Sequence, residues 1–286
     1  MKKIIIAQYN KTDISLLIKN DIQTAAGLSC HILNYNDNCN SEQSDTVIFL
    51  YTIENTAPSS VLQRDIYDGV FIYSDGIPAH DNKLISDWTG TPHLRIIPKQ
   101  SGQYEYMREH IFHLLGYPQS YETERKFLIK YPNIEMLENL SCCAKTNITQ
   151  IYLKPDKDGN NIRIRKRGNE NEYIYIKTQK TFISDIKRIE NETFISKSEY
   201  ERLSAFKDTE LNAIVKNRYC LMYNNTYFEI DIFPFWKNQA YIECELLNED
   251  DSIVFPEFID IIKEVTYDKK YTNRSLAKHI PQEADI

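Results

Sequence analysis

The chain reads as an α+β protein in which a small α/β layer is followed by a longer, mostly antiparallel β half. Two changes of pattern predict this. Up to about residue 118, short apolar strands alternate with helical stretches; from Glu122 onward, period-two segments follow one another, joined by turn residues such as Asp156-Lys157-Asp158-Gly159-Asn160 and Gly168-Asn169. The scale agrees, since 286 residues with 42% hydrophobic and 12% aromatic content suffice for one large core or two ordinary ones.

In the first part, Lys3–Ala7, Asp45–Tyr51, Tyr67–Tyr73 and His93–Ile97 are strand-like. Asp13–Asn20 and Tyr104–Leu115 carry apolar residues at helical spacing, and Gly116 with Pro118 stops the second of these. The spacing therefore predicts two units, 1–118 and 119–286. Within the second, helical interruptions are expected at Asn133–Leu140, Lys197–Phe206 and Pro256–Glu264, the last because Pro256 suits a first helical turn.

Composition excludes several classes. No apolar run approaches the roughly 18 residues that span a bilayer, and the opening Ile4-Ile5-Ile6-Ala7 is one strand long, so neither a membrane segment nor export is expected. Cys30, Cys39, Cys142, Cys143, Cys220 and Cys244 show no Cys-x-x-Cys spacing, which argues against structural zinc and a disulfide scaffold and for a reducing, cytoplasmic home. His110 and His113 share a helical face but lack a third ligand, so histidine-held metal is not expected. A net charge of -7 argues against nucleic acid as a partner, and any polyanion must meet a local cluster of cations.

Such clusters are visible at strand spacing, where residues two apart share a face. Glu122, Glu124 and Lys126 line one face; Arg163, Arg165 and Arg167 line another, opposite Ile162 and Ile164. Lys177 closes Tyr173-x-Tyr175-x-Lys177, and there follow Arg188-x-Glu190-x-Glu192, Lys216-x-Arg218, Glu229-x-Asp231 and Glu243-x-Glu245. An antiparallel sheet with one solvated face would explain such charges equally simply. Against that stands their sorting by strand, three arginines together and acids in pairs, where a solvated face mixes signs. A closed barrel can turn a charged face inward if the lumen is wet and its charges compensate. Lys and Arg there would bind a triphosphate through charge-assisted hydrogen bonds, and paired carboxylates would hold Mg2+ or Mn2+.

Glu122-Thr123-Glu124-Arg125-Lys126 resembles the Glu-x-Glu-x-Lys opening of the CYTH, or triphosphate tunnel metalloenzyme, superfamily. The order of later motifs is similar too: Ile162-Arg163-Ile164-Arg165, Ile176-Lys177, Lys216-Asn217-Arg218-Tyr219, Phe228-Glu229-Ile230-Asp231 and Ile242-Glu243-Cys244-Glu245. The resemblance implies an eight-stranded antiparallel tunnel with flanking helices. It implies phosphate contacts from Lys126, Arg163, Arg165, Lys177, Arg188, Lys216 and Arg218, and metal ligation by Glu122, Glu124, Asp231, Glu243 and Glu245. Glu122, Glu124, Lys126 and Glu245 would then carry the catalysis. Glu190, Glu192 and Glu229 would either support the metal ligands or pair with neighbouring arginines.

The implied activity is metal-dependent hydrolysis of a small-molecule triphosphate, inorganic tripolyphosphate or a nucleoside triphosphate. Adenylyl cyclase is an alternative, as is thiamine triphosphatase with Tyr173, Tyr175, Tyr227 and Trp236 as an aromatic platform; a non-catalytic polyphosphate- or nucleotide-binding module is a third. In the first unit, Trp88-Thr89-Gly90-Thr91-Pro92-His93-Leu94-Arg95-Ile96-Ile97 resembles the end of a P-loop kinase-like domain, yet Ala7-Gln8-Tyr9-Asn10-Lys11-Thr12-Asp13 lacks the glycines of a phosphate loop. A nucleotide-inactive, degenerate P-loop-like domain is expected, one that packs on the tunnel, recruits a protein partner or forms a homodimer.

Overall fold

The computed structural model describes the strands of the first unit, there with the side chain of Phe71 alone, part of a helix within residues 107–114, and residues 122–284 apart from 141–142, 156–160, 170–171, 183–186, 225 and 247–249; side chains at 122, 172, 180–182 and 187–191 also lie outside the description. The chain divides into two compact units, Met1–Ser120 and Tyr121–Ile286.

The first unit holds five strands, β1 (Lys3–Tyr9), β2 (His31–Leu33), β3 (Val47–Ile53), β4 (Gly69–Tyr73) and β5 (Leu94–Ile97). They pair in parallel in the order β2-β3-β1-β4-β5. Four match expected strands, and β2 has too short an apolar run to be read from sequence. Met107, Arg108, His110, Ile111 and Leu114 are helical, as the spacing of Tyr104–Leu115 predicts. The expected helix Asp13–Asn20 and most of the glycine-free segment after β1 lie outside the described residues.

The second unit contains β6 (Glu122–Lys130), α1 (Ile134–Asn139), β7 (Cys143–Tyr152), β8 (Ile162–Asn169), β9 (Glu172–Phe182), β10 (Lys187–Ile195), α2 (Lys197–Ser204), β11 (Ile214–Tyr223), β12 (Thr226–Ile232), β13 (Gln239–Leu246), β14 (Ile261–Glu264) and α3 (Asn273–Lys278). Its sheet has nine strands in the order β10-β9-β8-β7-β11-β12-β13-β6-β14, and β6 also pairs with β10. That last pairing, Lys187 opposite Thr123 and Arg188 opposite Glu122, closes β6 to β13 into an eight-stranded antiparallel ring. β14 is the ninth strand; it lies along the part of β6 that β10 does not cover, with Ile261 opposite Ile129 and Glu264 opposite Phe127.

This placement corrects the expected helix at Pro256–Glu264. Only a turn follows Pro256, closed by the Ile259 N–H donating to the Pro256 carbonyl at 3.0 Å. The following residues pair as a strand because the edge of β6 would otherwise present unpaired backbone groups. The other two helices form as predicted. Asn133 Oδ1 accepts from the Met136 N–H at 3.0 Å at the start of α1, and Ser196 Oγ accepts from the Glu199 N–H at 3.1 Å at the start of α2. In the β11–β12 hairpin, Asn224 takes φ 44°, which asparagine tolerates in a tight two-residue turn.

The ring's apolar residues face outward and are covered. Phe127, Ile129, Leu221, Phe228, Ile230 and Ile242 pack with Leu137 of α1 and with Ile259. Ile164 and Leu153 pack with Tyr200 of α2. On the inner face, Leu128, Tyr152, Ile214, Phe233 and Tyr241 join Trp236, Tyr271 and Leu276 in an aromatic cluster that closes one end. Most of the remaining inner positions are charged or polar, with Ile148 and Ile176 apolar among them.

Leu137 is fully buried in the outer core. Leu137→Ala is expected to lower stability by about 2–5 kcal/mol through lost transfer energy and an unfilled cavity, measured as a fall in the denaturant midpoint with unchanged slope.

Candidate substrate tunnel

Each inner position follows from strand parity and register. β12 stands between β11 and β13, so Arg218 lies opposite Asp231, and Glu229 lies opposite Glu243. β6 lies against β13, setting Lys126 opposite Glu243 and Glu124 opposite Glu245. β7 and β8 bring Gln150 opposite Arg165 and Tyr152 opposite Arg163. Arg163, Arg165, Lys216, Arg218, Glu229, Asp231 and Glu243 are all buried. That excludes the solvated-face alternative for these strands.

The charges form a connected network centred on Arg218. Its Nε donates to Asp231 Oδ1 at 2.7 Å, and its Nη2 donates to Asp231 Oδ2 at 2.7 Å and Glu243 Oε2 at 2.9 Å, while Nη1 meets Glu229. Lys216 Nζ also meets Asp231, and Lys126 Nζ lies 2.6 Å from Glu243 Oε1. Burial disfavours the ionised form of each group, but the partners decide the balance for three of them. Arg218 stands well above the ordinary arginine range because Asp231 and Glu229 outweigh burial. Asp231 is held below the usual carboxylate range by Arg218 and Lys216, and Glu243 well below it by Lys126 and Arg218. Lys216 goes the other way: burial, and then the neighbouring Arg218, bring it down to about 8 despite Asp231.

On the opposite wall, Arg163 and Arg165 lie 3.7 Å and 3.6 Å from Glu192 Oε1, which also accepts from Thr178 Oγ1 at 2.9 Å. Glu192 and Glu229, open between two roles from sequence, therefore sit against arginines. Glu124 and Lys126 border a cavity of about 50 Å³ that Thr266, Asp268, Tyr271 and Thr272 also line. Among the described residues, no group of three or more His, Cys, Asp or Glu side chains is arranged to hold a metal ion.

Two of the expected basic residues are not brought into this set. Lys177 pairs in register with Ile164 and with Thr193, on the outer face shared with Tyr175. The inner positions of β9 are Ile176 and Thr178, opposite Arg165 and Arg163. Period two correctly grouped Tyr173, Tyr175 and Lys177, but the face is the one under α2, where Lys177 contributes, after the Arg202 hydrogen bond, to holding the Glu199 carboxyl low. Arg188 stands opposite Glu122 at the closure of the ring, with both side chains outside the description. The four aromatic residues of the thiamine platform are also dispersed, Tyr175 against Tyr200 at 5.0 Å and Trp236 against Tyr241 at 4.9 Å in the end cluster. Uncharged inner residues escaped the sequence reading; Thr146, Gln150 and Thr178 are buried there, and the first two show only in the alternating burial along Cys143–Tyr152.

Asp231→Asn would strip Arg218 and Lys216 of their shared counter-ion. Breaking a buried pair from one side costs about 3–5 kcal/mol, so this variant is expected to melt markedly lower, and a melting point equal to the parent's would refute the network's structural weight.

A family model for the CYTH domain matches residues 120–275. An inorganic triphosphatase of Nitrosomonas europaea is 31% identical over 163 residues, which cover 56% of this chain and 99% of that protein. Among solved structures, an inorganic triphosphatase is 28% identical, covering 56% of this chain and 97% of its own with a TM-score of 0.38. A protein from Hippeastrum with a dominant triphosphatase activity is 11% identical, covering 44% and 80% with a TM-score of 0.30. Among the described residues no helix is long and apolar enough to cross a membrane. With the family match spanning more than half its length, the chain belongs to the CYTH domain family.

Proposed function

We propose that the second unit hydrolyses a small-molecule triphosphate inside the ring, with inorganic tripolyphosphate as its first substrate, nucleoside triphosphates next, and Mg2+ or Mn2+ as cofactor. The observation that carries this is the burial of Arg163, Arg165, Lys216 and Arg218, with Lys126 half-buried, around one lumen, together with the 31% identity to an inorganic triphosphatase. Five cations on facing walls match a chain of phosphates, whose oxygens accept charge-assisted hydrogen bonds from Arg and Lys.

The metal fits the acidic residues of β6 and β13. Glu124 stands opposite Glu245, so the register brings two carboxylates, hard oxygen ligands, to one cross-strand position. Mg2+ is typically held by one or two carboxylates plus substrate phosphates rather than by an all-protein cage, which suits a lumen whose described residues form no three-residue cluster. Glu124 and Glu245, with Glu122 at the ring closure, would hold it; Asp231 and Glu243 are already engaged by cations and would act by keeping Arg218, Lys216 and Lys126 in place. When bound, the metal would neutralise phosphate charge and lower the pKa of a water molecule.

The chain's own residues would do the positioning. Arg163 and Arg165 on one wall and Lys126, Lys216 and Arg218 on the other would fix the phosphate chain in line for attack, the chief demand of phosphoryl transfer. The aromatic end cluster would keep bulk water from one side, strengthening each electrostatic contact. No Ser or Cys nucleophile is required.

For the first unit, the proposal remains a degenerate P-loop-like domain that serves a protein partner or dimer contact. It rests on the glycine-free Ala7–Asp13 and on a five-stranded parallel sheet with β1 at its centre.

Phosphate release from tripolyphosphate, ATP and thiamine triphosphate, each with Mg2+, Mn2+ or EDTA, tests the activity. Metal-dependent release, fastest from tripolyphosphate, is the expected result; cyclic AMP with pyrophosphate from ATP would identify a cyclase, and no turnover would leave a binding module. Lys126→Ala should raise KM, whereas Glu245→Gln should lose turnover with the fold intact. Full activity in both variants would sink the assignment.

Lys216 adds a pH dependence. Its ammonium form, needed to meet phosphate, prevails below pH 8 in the free protein and is lost as pH rises through about 8, where an ordinary lysine holds its proton to about 10.4. kcat/KM should therefore fall on the alkaline side near pH 8. Lys216→Arg, charged throughout, should remove that limb, and an unchanged profile would show that Lys216 does not titrate against substrate.

A further inference from the structure

We propose that the aromatic end cluster is a positioning device as well as a closure: the ring faces of Tyr241 and Phe233 hold the ammonium groups of Lys126 and Lys216 in place for phosphate, which makes these two aromatic residues determinants of triphosphate affinity. The proposal deepens the reading of the lumen as a phosphate site and rests on it. Lys126 Nζ lies over the Tyr241 ring at 5.3 Å from its centroid, and Lys216 Nζ lies over the Phe233 ring at 5.7 Å. Both distances fall within the roughly 6 Å at which a ring face attracts a cation. The strand register sets the pairs. Lys126 stands opposite Glu243, and Tyr241 is two residues before Glu243 on the same inner face of β13. Asn217 stands opposite Ile232, so Lys216 meets Phe233 at the next position, just beyond β12.

The rings themselves are fixed. Phe233 and Tyr241 are 1% and 0% exposed and meet edge to face at 5.4 Å. Trp236 packs against both, at 5.4 Å and 4.9 Å, and Phe233 stacks on Phe235 at 5.0 Å. Tyr241 contributes no hydrogen bond through its hydroxyl, which is buried without a partner among the described residues. What the cluster presents to Lys126 is therefore the ring.

Each ammonium also meets a carboxylate, Glu243 for Lys126 and Asp231 for Lys216. The two kinds of neighbour act differently. A carboxylate cancels the charge it holds, whereas a ring attracts a cation through its quadrupole and carries no net charge. A further carboxylate in the ring's place would hold the lysine and repel phosphate. The rings instead order these long side chains while leaving their charge, and N–H donors of the ammonium, for a ligand. A triphosphate that meets two lysines already ordered is spared the entropy of immobilising them.

The test is calorimetric binding of linear tripolyphosphate to the full chain, with and without Mg2+, so that it does not depend on turnover. Tyr241→Leu is expected to weaken binding about threefold to tenfold, and Tyr241→Phe, which restores a ring, to recover the parent's affinity. In a Lys126→Met background the same Tyr241→Leu change should cost less than about twofold, because the ring has no ammonium left to hold. An equal loss in both backgrounds would mean that the ring acts by packing alone and overturns the proposal, as does no loss in either. Should Tyr241→Leu fail to fold by thermal melting, mono-, di- and trifluorinated phenylalanine at position 233 decide, since fluorine drains the ring face with little change of shape. Affinity should fall with each added fluorine, and a uniform series overturns the proposal. A parent protein that binds tripolyphosphate without hydrolysing it would undo the hydrolase reading and leave these comparisons intact; one that does not bind it overturns both.

Discussion

The buried contact between Arg218 and Asp231 is the constraint on which the second unit depends. Asp231 has no exposed surface, and both of its oxygens accept from the Arg218 guanidinium. Charges placed so deep are tolerable only in compensation, and Arg218 extends that compensation to Glu229 and to Glu243, the latter in turn holding Lys126. β11, β12, β13 and β6 must therefore keep their register to within a residue. A slip of one position would send these charges outward and bring Phe228, Ile230 and Ile242 into a wet lumen.

The same inversion explains the helices. A ring that turns its charges inward leaves an apolar exterior, and α1, α2 and the segment around Ile259 exist to cover it. Tyr219 shows how closely cover and ring are joined, its hydroxyl donating to Glu138 of α1 at 2.9 Å while Lys145 reaches the same carboxylate at 2.8 Å. The apolar cover and the charged lumen thus lie on opposite faces of the same strands, so most outer-face changes should affect folding without altering the lumen's charge.

Much of this was legible because charged residues at period two are rare on buried strands. The sorting of Arg163, Arg165, Lys216, Arg218, Asp231 and Glu243 pointed to a common lumen, and the helical interruptions expected at Asn133–Leu140 and Lys197–Phe206 correspond to α1 and α2. What could not be read was parity between strands: whether Lys177 or Thr178 faces inward is set by the β8–β9 register, and the loop between those strands can shift it by one residue without changing the pattern on either. The strand at Ile261–Glu264 was hidden for a related reason, because the demand for it arises at the uncovered edge of β6, more than a hundred residues earlier in sequence. Neutral inner residues such as Thr146 carry no charge to sort, and they emerge only once their neighbours are placed.

Closure of the ring through β6 carries a kinetic consequence. β6 is the first strand of this unit, yet its partners are β13, β14 and β10, all far along the chain. Such non-local pairing is slow to form, and during synthesis β6 must wait with both edges bare until the later strands emerge. The binding site would accordingly be among the last features to appear in folding, because Glu124 and Lys126 meet Glu245 and Glu243 only when the unit's first strand finds one of its last. A nascent chain halted before β13 would expose an apolar, unpaired strand with no tunnel to show for it, a state prone to edge-to-edge association.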